Sequence, residues 1–134
     1  MKDLGVFFDK HMNLKSHISS ICSSASFALG NIGKIRKRLD RVTTERLVHS
    51  FVSSRLDNCN SLLFGLPLYQ IERLQHIQNT AARVVTLSSL KEHFTSILND
   101  RHWLTIHNRI KFKILLFTYK VSNGLAPTYL SQLI

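Results

Sequence analysis

The sequence predicts an all-α fold, an irregular bundle of four long helices and one or two short ones, led by a short N-terminal strand. Three observations predict it. Apolar residues recur at alternating spacings of three and four through several stretches, the period of helices with one buried face. Gly 5 and Pro 2 in 134 residues leave little turn chemistry for a sandwich or barrel of short strands. Hydrophobic residues at 44% against charged residues at 19% exclude a disordered chain and supply a core. The length fits one domain, which can bury roughly two thirds of the surface its unfolded chain exposes.

Leu4 to Phe8 reads as a short strand ending at Asp9. Five apolar residues cannot make a sheet alone, so the expectation is a strand cut away from its partners. From Leu14 to Leu39 the pattern is helical. Ile18, Ile21, Ala25, Ala28, Ile32, Ile35 and Leu39 define one face that approaches a coiled-coil seam. Asn13 is a plausible N-cap. Gly30 and Gly33 weaken the middle by about 1 kcal/mol each relative to Ala, and they leave room for a close neighbour.

The end of this helix carries the cluster Lys34, Arg36, Lys37, Arg38 and Arg41. At about 100° per residue, Lys34, Lys37, Arg38 and Arg41 fall on one stripe, away from the seam. Such a stripe is either a solvated face that favours the negative helix C-terminus or a track for phosphates.

A second helix is expected from Thr43 or Thr44 to about Phe64. Either threonine can cap it, and Gly65, Leu66 and Pro67 stop it. Val48, Val52, Leu56, Cys59 and Leu63 form its buried face, with Phe51 beside it. Arg55 and Asp57 flank Leu56 and are free to pair with a neighbouring helix. A third helix spans about Tyr69 to Thr86. Ile71, Leu74, Gln78, Ala81 and Val85 lie on one side, Ile77 and Val84 widen that side, and Ala81 and Ala82 permit tight contact. A loop with Ser88 and Ser89 follows, then a short helix around Thr95 to Asp100. Trp103 is a core anchor.

The fourth long helix runs from Thr105 to Ser122. Ile110, Ile114, Phe117 and Val121 form its seam, while Phe112, Leu115, Leu116 and Tyr119 are apolar elsewhere. A helix apolar nearly all round is central in a core or docks on something else. Arg109, Lys113 and Lys120 share a narrow basic stripe. Gly124 ends this helix, and Pro127 suits the first turn of a last short helix to Leu133.

Charge is the strongest compositional signal. Eighteen Lys and Arg face eight Asp and Glu, a formal net charge of +10. Such a surface attracts polyanions, nucleic acid first and anionic membrane second. The eight carboxylates, Asp3, Asp9, Asp40, Glu45, Asp57, Glu72, Glu92 and Asp100, are scattered and make no acid/base or metal pair on one helix face. His102 and His107 sit roughly 140° apart on a helix, poor metal-ligand geometry. There is no GxSxG, no Gly-rich phosphate loop and no CxxC. The expectation is no catalytic residue and no metal site in this chain. Cys22 and Cys59 read as small, partly buried thiols in a reducing compartment. No signal peptide or membrane span is visible, so the protein is expected inside the cell, nuclear or cytoplasmic, with no membrane partner.

Four stretches in order carry a resemblance: LGVFFDKHMNLKSHI (Leu4 to Ile18), VSSRLDNCNSLLFGLP (Val52 to Pro67), IERLQHIQNTAARVV (Ile71 to Val85) and HWLTIHNRIKFKILLFTYKVSNGLAPTYL (His102 to Leu130). Together they resemble the region behind the palm in reverse transcriptases of non-LTR (LINE, jockey-type) retrotransposons, over nearly the whole chain. Family members tend to have Pro where Ser96 and Thr105 stand, and an aromatic at Asn58. These departures suit a decaying element copy or a fragmentary gene model.

The resemblance implies that residues 1–12 are the remnant of a palm-end strand and 13–134 a single thumb-like helical domain. It implies a fragment of an RNA-directed DNA polymerase whose catalytic aspartates have no counterpart here, so the chain is inactive alone. No cofactor is expected in this chain, Mg2+ belonging only to the full-length parent enzyme. The implied partners are an RNA/DNA hybrid or RNA, held by its backbone, and the palm domain of the parent polymerase. The residues assigned to nucleic-acid contact are Lys34, Arg36, Lys37, Arg38, Arg41, Arg109, Lys113 and Lys120. The alternative is a protein-interaction module pairing through the apolar helix 105–122.

Overall fold

A computed structural model of the protein describes residues 1–87, 98–99 and 103–133. It is all-α apart from a small N-terminal hairpin. The expected lone strand closes on itself: Leu4 and Gly5 both take positive φ, 46° and 83°, as a tight hairpin reversal requires. Lys2–Asp3 (β1) thereby pairs antiparallel with Val6–Phe7 (β2). Val6 points into the core and is 1% exposed.

The turn into the first helix is made by short polar side chains. Asp9 Oδ1 accepts from the His11 and Asn13 N–H groups, and Asn13 Oδ1 accepts from Lys15 N–H at 2.9 Å. Helix α1 covers Lys15–Ile35 and buries His17, Ile18, Ile21, Ala25, Leu29 and Ile32. The next buried position is Arg36. The expected seam drifts because a straight helix repeats every 3.6 residues rather than 3.5. Leu29 replaces Ala28 at the centre, and Arg36 goes inward where Ile35, 44% exposed, was expected. Gly30 and Gly33 face open space, so no neighbour uses the room they leave.

The second helix starts earlier than expected and is not continuous. Asp40 caps it, its carboxylate accepting from Thr43 N–H. Helix α2, Arg41–Val48, passes into a π-helical turn, His49–Ser53, and then α3, Ser54–Asp57. Ser50, Ser54 and Arg55 each donate a side-chain hydrogen bond to the carbonyl four residues back, a pattern that bends helices. The wider π turn keeps Val48, Val52 and Leu56, spaced four apart, facing the core. Asn58 is extended and Cys59 left-handed, and a 3-10 turn, Asn60–Leu63, follows. Cys59 is half-buried and Phe51 half-exposed, so only Val48, Val52, Leu56 and Leu63 of the expected face are fully inside.

Helix α4, Leu68–Thr86, follows Pro67 and buries Gln70, Ile71, Leu74, Ile77, Gln78, Ala81, Ala82 and Val85. This matches the face read from the sequence, with Val84 half-buried. It packs along α1 and against α2, the small Ala81 and Ala82 allowing close approach. The expected loop at Ser88 and Ser89 lies outside the described residues. So does most of the expected short helix at Thr95 to Asp100, of which Leu98 and Asn99 are helical. Trp103 is buried as expected, its ring 5.2 Å from that of His49.

Two α4 glutamines fix where the next helix begins. Gln75 Oε1 accepts from Ile106 N–H at 2.9 Å, and Gln78 Nε2 donates to Leu104 O at 2.8 Å. Thr105 caps α5, Ile106–Ser122, by accepting from Asn108 N–H. Only Ile106 and Ile110 of α5 are buried. Gly124, at φ 67°, ends the helix, with Leu125 N–H donating back to Lys120 O. Pro127 precedes a last short helix, α6, Thr128–Ser131, which is shorter than expected and buries nothing. Among the described residues no helix is long and apolar enough to cross a membrane.

Candidate nucleic-acid interface

The basic run at residues 34–41 falls on a corner rather than on one helix. Lys34 lies in the last turn of α1; Arg36–Arg38 form a 3-10 turn; Leu39 is extended; Arg41 opens α2. The continuous stripe expected for Lys34, Lys37, Arg38 and Arg41 therefore does not exist, because the α-helical period stops at Ile35. All four side chains are nevertheless exposed. They present positive charge on two elements and the bend between them.

Arg36 behaves differently. It is 8% exposed. Its Nε donates to Val84 O at 2.8 Å, Nη2 to Val85 O at 2.9 Å and Nη1 to Leu39 O at 2.8 Å. Val84 and Val85 lie in the last turn of α4, whose carbonyls have no partner further along the helix. The guanidinium fork meets both and places its charge at the negative end of the helix. Arg36 thus clamps α1 to α4 and turns away from the other four cations.

Asp40 is the acidic residue at the corner. The Thr43 side chain holds its carboxyl below the ordinary range, against desolvation, with lesser help from backbone N–H groups and Arg46. It stays ionised at neutral pH as a helix cap. The corner accordingly keeps a positive surplus.

The second expected stripe is also divided. Arg109 Nη1 pairs with Asp57 Oδ2 at 2.6 Å, and its Nε donates to Leu104 O at 3.1 Å. Asp57 thus finds the partner on a neighbouring helix that its position allowed. Lys113 is half-buried with its ammonium 5.8 Å from the centre of the Phe117 ring. Lys120 is exposed. Beside these groups opens a hollow of about 300 Å³, bordered by Asp57, Asn60, Leu104, Arg109, Phe112 and Lys113.

Two further groups are shifted by burial. His17 is buried in α1, and burial pushes its imidazole below the ordinary histidine value. Burial pushes the Cys22 thiol up, against smaller opposing effects of Arg73 and its own backbone. That makes it a poor nucleophile at neutral pH. Among the described residues no group of three His, Cys, Asp or Glu could hold a metal ion. His102, half of the weak histidine pair, lies outside those residues, and His107 is exposed on α5.

The outward quartet at the corner carried a sequence signal, a dense basic run. The clamp by Arg36 carried none, because it depends on where the last carbonyls of α4 arrive. The Asp40 cap was legible in principle as an Asp just before a helical stretch. No family model, curated protein or solved structure matches the chain.

Proposed function

We propose that this chain is the thumb-like and post-palm region of a non-LTR retrotransposon reverse transcriptase. In this reading it holds an RNA/DNA hybrid or an RNA duplex by its backbone and catalyses nothing by itself. The observation that carries the reading is the corner at residues 34–41, where Lys34, Lys37, Arg38 and Arg41 are all exposed in a chain of net charge +10. Charges on two elements and the bend between them suit a curved phosphate chain, whose contacts fix position without reading sequence. The four stretches that resemble this region give the reading its family. Mg2+ and the catalytic aspartates would belong to the parent polymerase alone.

Within the reading, Arg36 is a positioning residue. It holds the corner rigid by tying α1 to α4, and the exposed quartet touches the phosphates. On α5, Lys113 lies over the Phe117 ring, Lys120 is exposed and Arg109 is engaged by Asp57, so the corner alone carries the reading.

The test is binding of a fluorescent RNA/DNA hybrid over a range of salt concentrations. The comparison is a variant with Lys34, Lys37, Arg38 and Arg41 all changed to Gln. Wild-type affinity should fall steeply with salt, and the variant should flatten the slope by roughly two to four counterions. Equal slopes and affinities would leave the quartet as a solvated face and remove the basis for the reading.

A further inference from the structure

Helix α5 has two apolar faces, and the bundle covers only the first half of one, Phe117 further along it being 47% exposed. Ile106 and Ile110 are buried against the rest of the protein, and Ile114 is half-buried. On the roughly opposite side lie Phe112, Leu115, Leu116 and Tyr119. Their spacing of i, i+3, i+4 and i+7 is that of a stripe able to meet another helix. Phe112 is 56% exposed, Leu115 67% and Tyr119 59%, and Leu116 is half-buried.

The borders of this stripe are cationic. Lys111 flanks one edge, and Lys113 and Lys120 flank the other, with Arg109 beside them already paired to Asp57. The sequence from Arg101 to Ile134 contains no Asp or Glu at all. At the edge of the stripe, beside Phe112, lies the 300 Å³ hollow, lined also by Lys113, the Arg109–Asp57 pair and the buried Asn60. Among the described residues Asn60 Oδ1 has no hydrogen-bond partner.

We propose that this outward face of α5 docks an amphipathic helix of a partner protein whose own apolar stripe is bordered by carboxylates. Charge selects the occupant. A second copy of this chain fits badly, because pairing α5 with α5 sets lysines against lysines, with no acidic residue after Asp100 to offset them. A flat anionic bilayer would meet the lysines but leave the hollow unfilled. A helix with acidic borders meets the stripe and the lysines and can also send a side chain into the hollow. The face uses residues other than the Lys34 to Arg41 corner, so the inference stands apart from the nucleic-acid reading.

The test uses two synthetic helical peptides with the same leucine stripe, one bordered by glutamates and one by lysines, titrated against the full chain by fluorescence anisotropy. The glutamate peptide should bind at least about tenfold more tightly, a difference of about 1.4 kcal/mol. Its advantage should shrink as salt rises. The double variant Leu115→Gln, Tyr119→Gln should bind it at least about tenfold less tightly. Because both side chains are mostly exposed, the variant should keep the wild-type melting temperature and its affinity for an RNA/DNA hybrid.

Equal binding of the two peptides, binding of neither, or a double variant that binds like wild type would overturn the proposal. So would recruitment to phosphatidylserine vesicles without peptide binding. A dimer that the double variant dissolves would assign the face to a second copy instead.

Discussion

Along α4, Ile71, Leu74, Ile77 and Val85 are all buried, and so are Gln70 and Gln78. Along α5, burial stops at Ile110, and Phe112, Leu115 and Tyr119 stand more than half exposed. The two helices are similarly apolar along their seams but differ in what surrounds them. Helix α4 lies against α1, α2 and α5, whereas α5 rests mainly on α4 and the 3-10 turn at Asn60–Leu63. Hydropathy marks the side chains that gain from cover, and the neighbours decide which of them receive it. The same contrast holds for the cations, where Arg36 is drawn inside by the carbonyls of α4 and Lys37 beside it stays in water.

The contrast is broken most directly by truncating one side chain on each helix. Leu74, fully buried in α4, should lose about 2–5 kcal/mol of stability on Leu74→Ala. Leu115→Ala on α5 should stay within about 0.5 kcal/mol of wild type. Urea unfolding measures both, and similar losses would mean that α5 is covered after all.

A smaller effect separates the cations. Arg36→Met should cost about 2–3 kcal/mol, because the Val84 and Val85 carbonyls lose charged donors in a buried place. Lys37→Met, at an exposed position, should change stability by less than about 0.5 kcal/mol. If the two variants unfold at the same urea concentration, the clamp is not holding α1 to α4. Asp57→Asn should cost less than Arg36→Met, about 0.5–1 kcal/mol in low salt. Its bond to Arg109 is short, but Asp57 is 42% exposed and screened by water.

The smallest expected effect is that of pH. His17 is buried and its pKa is lowered by that burial. The unfolded chain binds a proton near the ordinary value of about 6.5, where the folded chain refuses it. The stabilisation is therefore full above that pH and declines as pH falls toward the depressed folded value. Melting temperature followed from pH 8 down to about pH 5 should fall less in His17→Leu than in wild type. A wild-type slope kept intact in the variant would contradict the role given to His17.

Much of the bundle was legible. Leu74, Ile77, Gln78, Ala81 and Val85 fall on the buried face of α4 that the spacing predicts, and Gly124 ends α5 where a left-handed residue is needed. Along α1 the reading holds for Ile18, Ile21, Ala25 and Ile32 but misplaces Ala28 and Ile35 by one residue, because seven-residue spacing and a straight helix part company over several turns. The break of the second helix was not legible, since Val48, Val52, Leu56, Cys59 and Leu63 keep a plausible helical spacing right through it. What interrupts it are serine and arginine side chains bonding to their own helix. At the candidate interface, the exposure of Lys34, Lys37, Arg38 and Arg41 was readable from charge density. Their division over a bend was not, because nothing in the spacing marks the end of α1 at Ile35. The inward turn of Arg36 required knowing where α4 ends in space.

The central claim is that the two exposed surfaces have different partners, the corner at residues 34–41 a polyanion and the outer face of α5 an acidic helix. An 15N-labelled sample titrated with an RNA/DNA hybrid tests it most directly, residue by residue. The account predicts chemical-shift changes centred on Lys34, Lys37, Arg38 and Arg41, with Leu115, Leu116 and Tyr119 unmoved. Shifts centred on α5, with the corner silent, would contradict it.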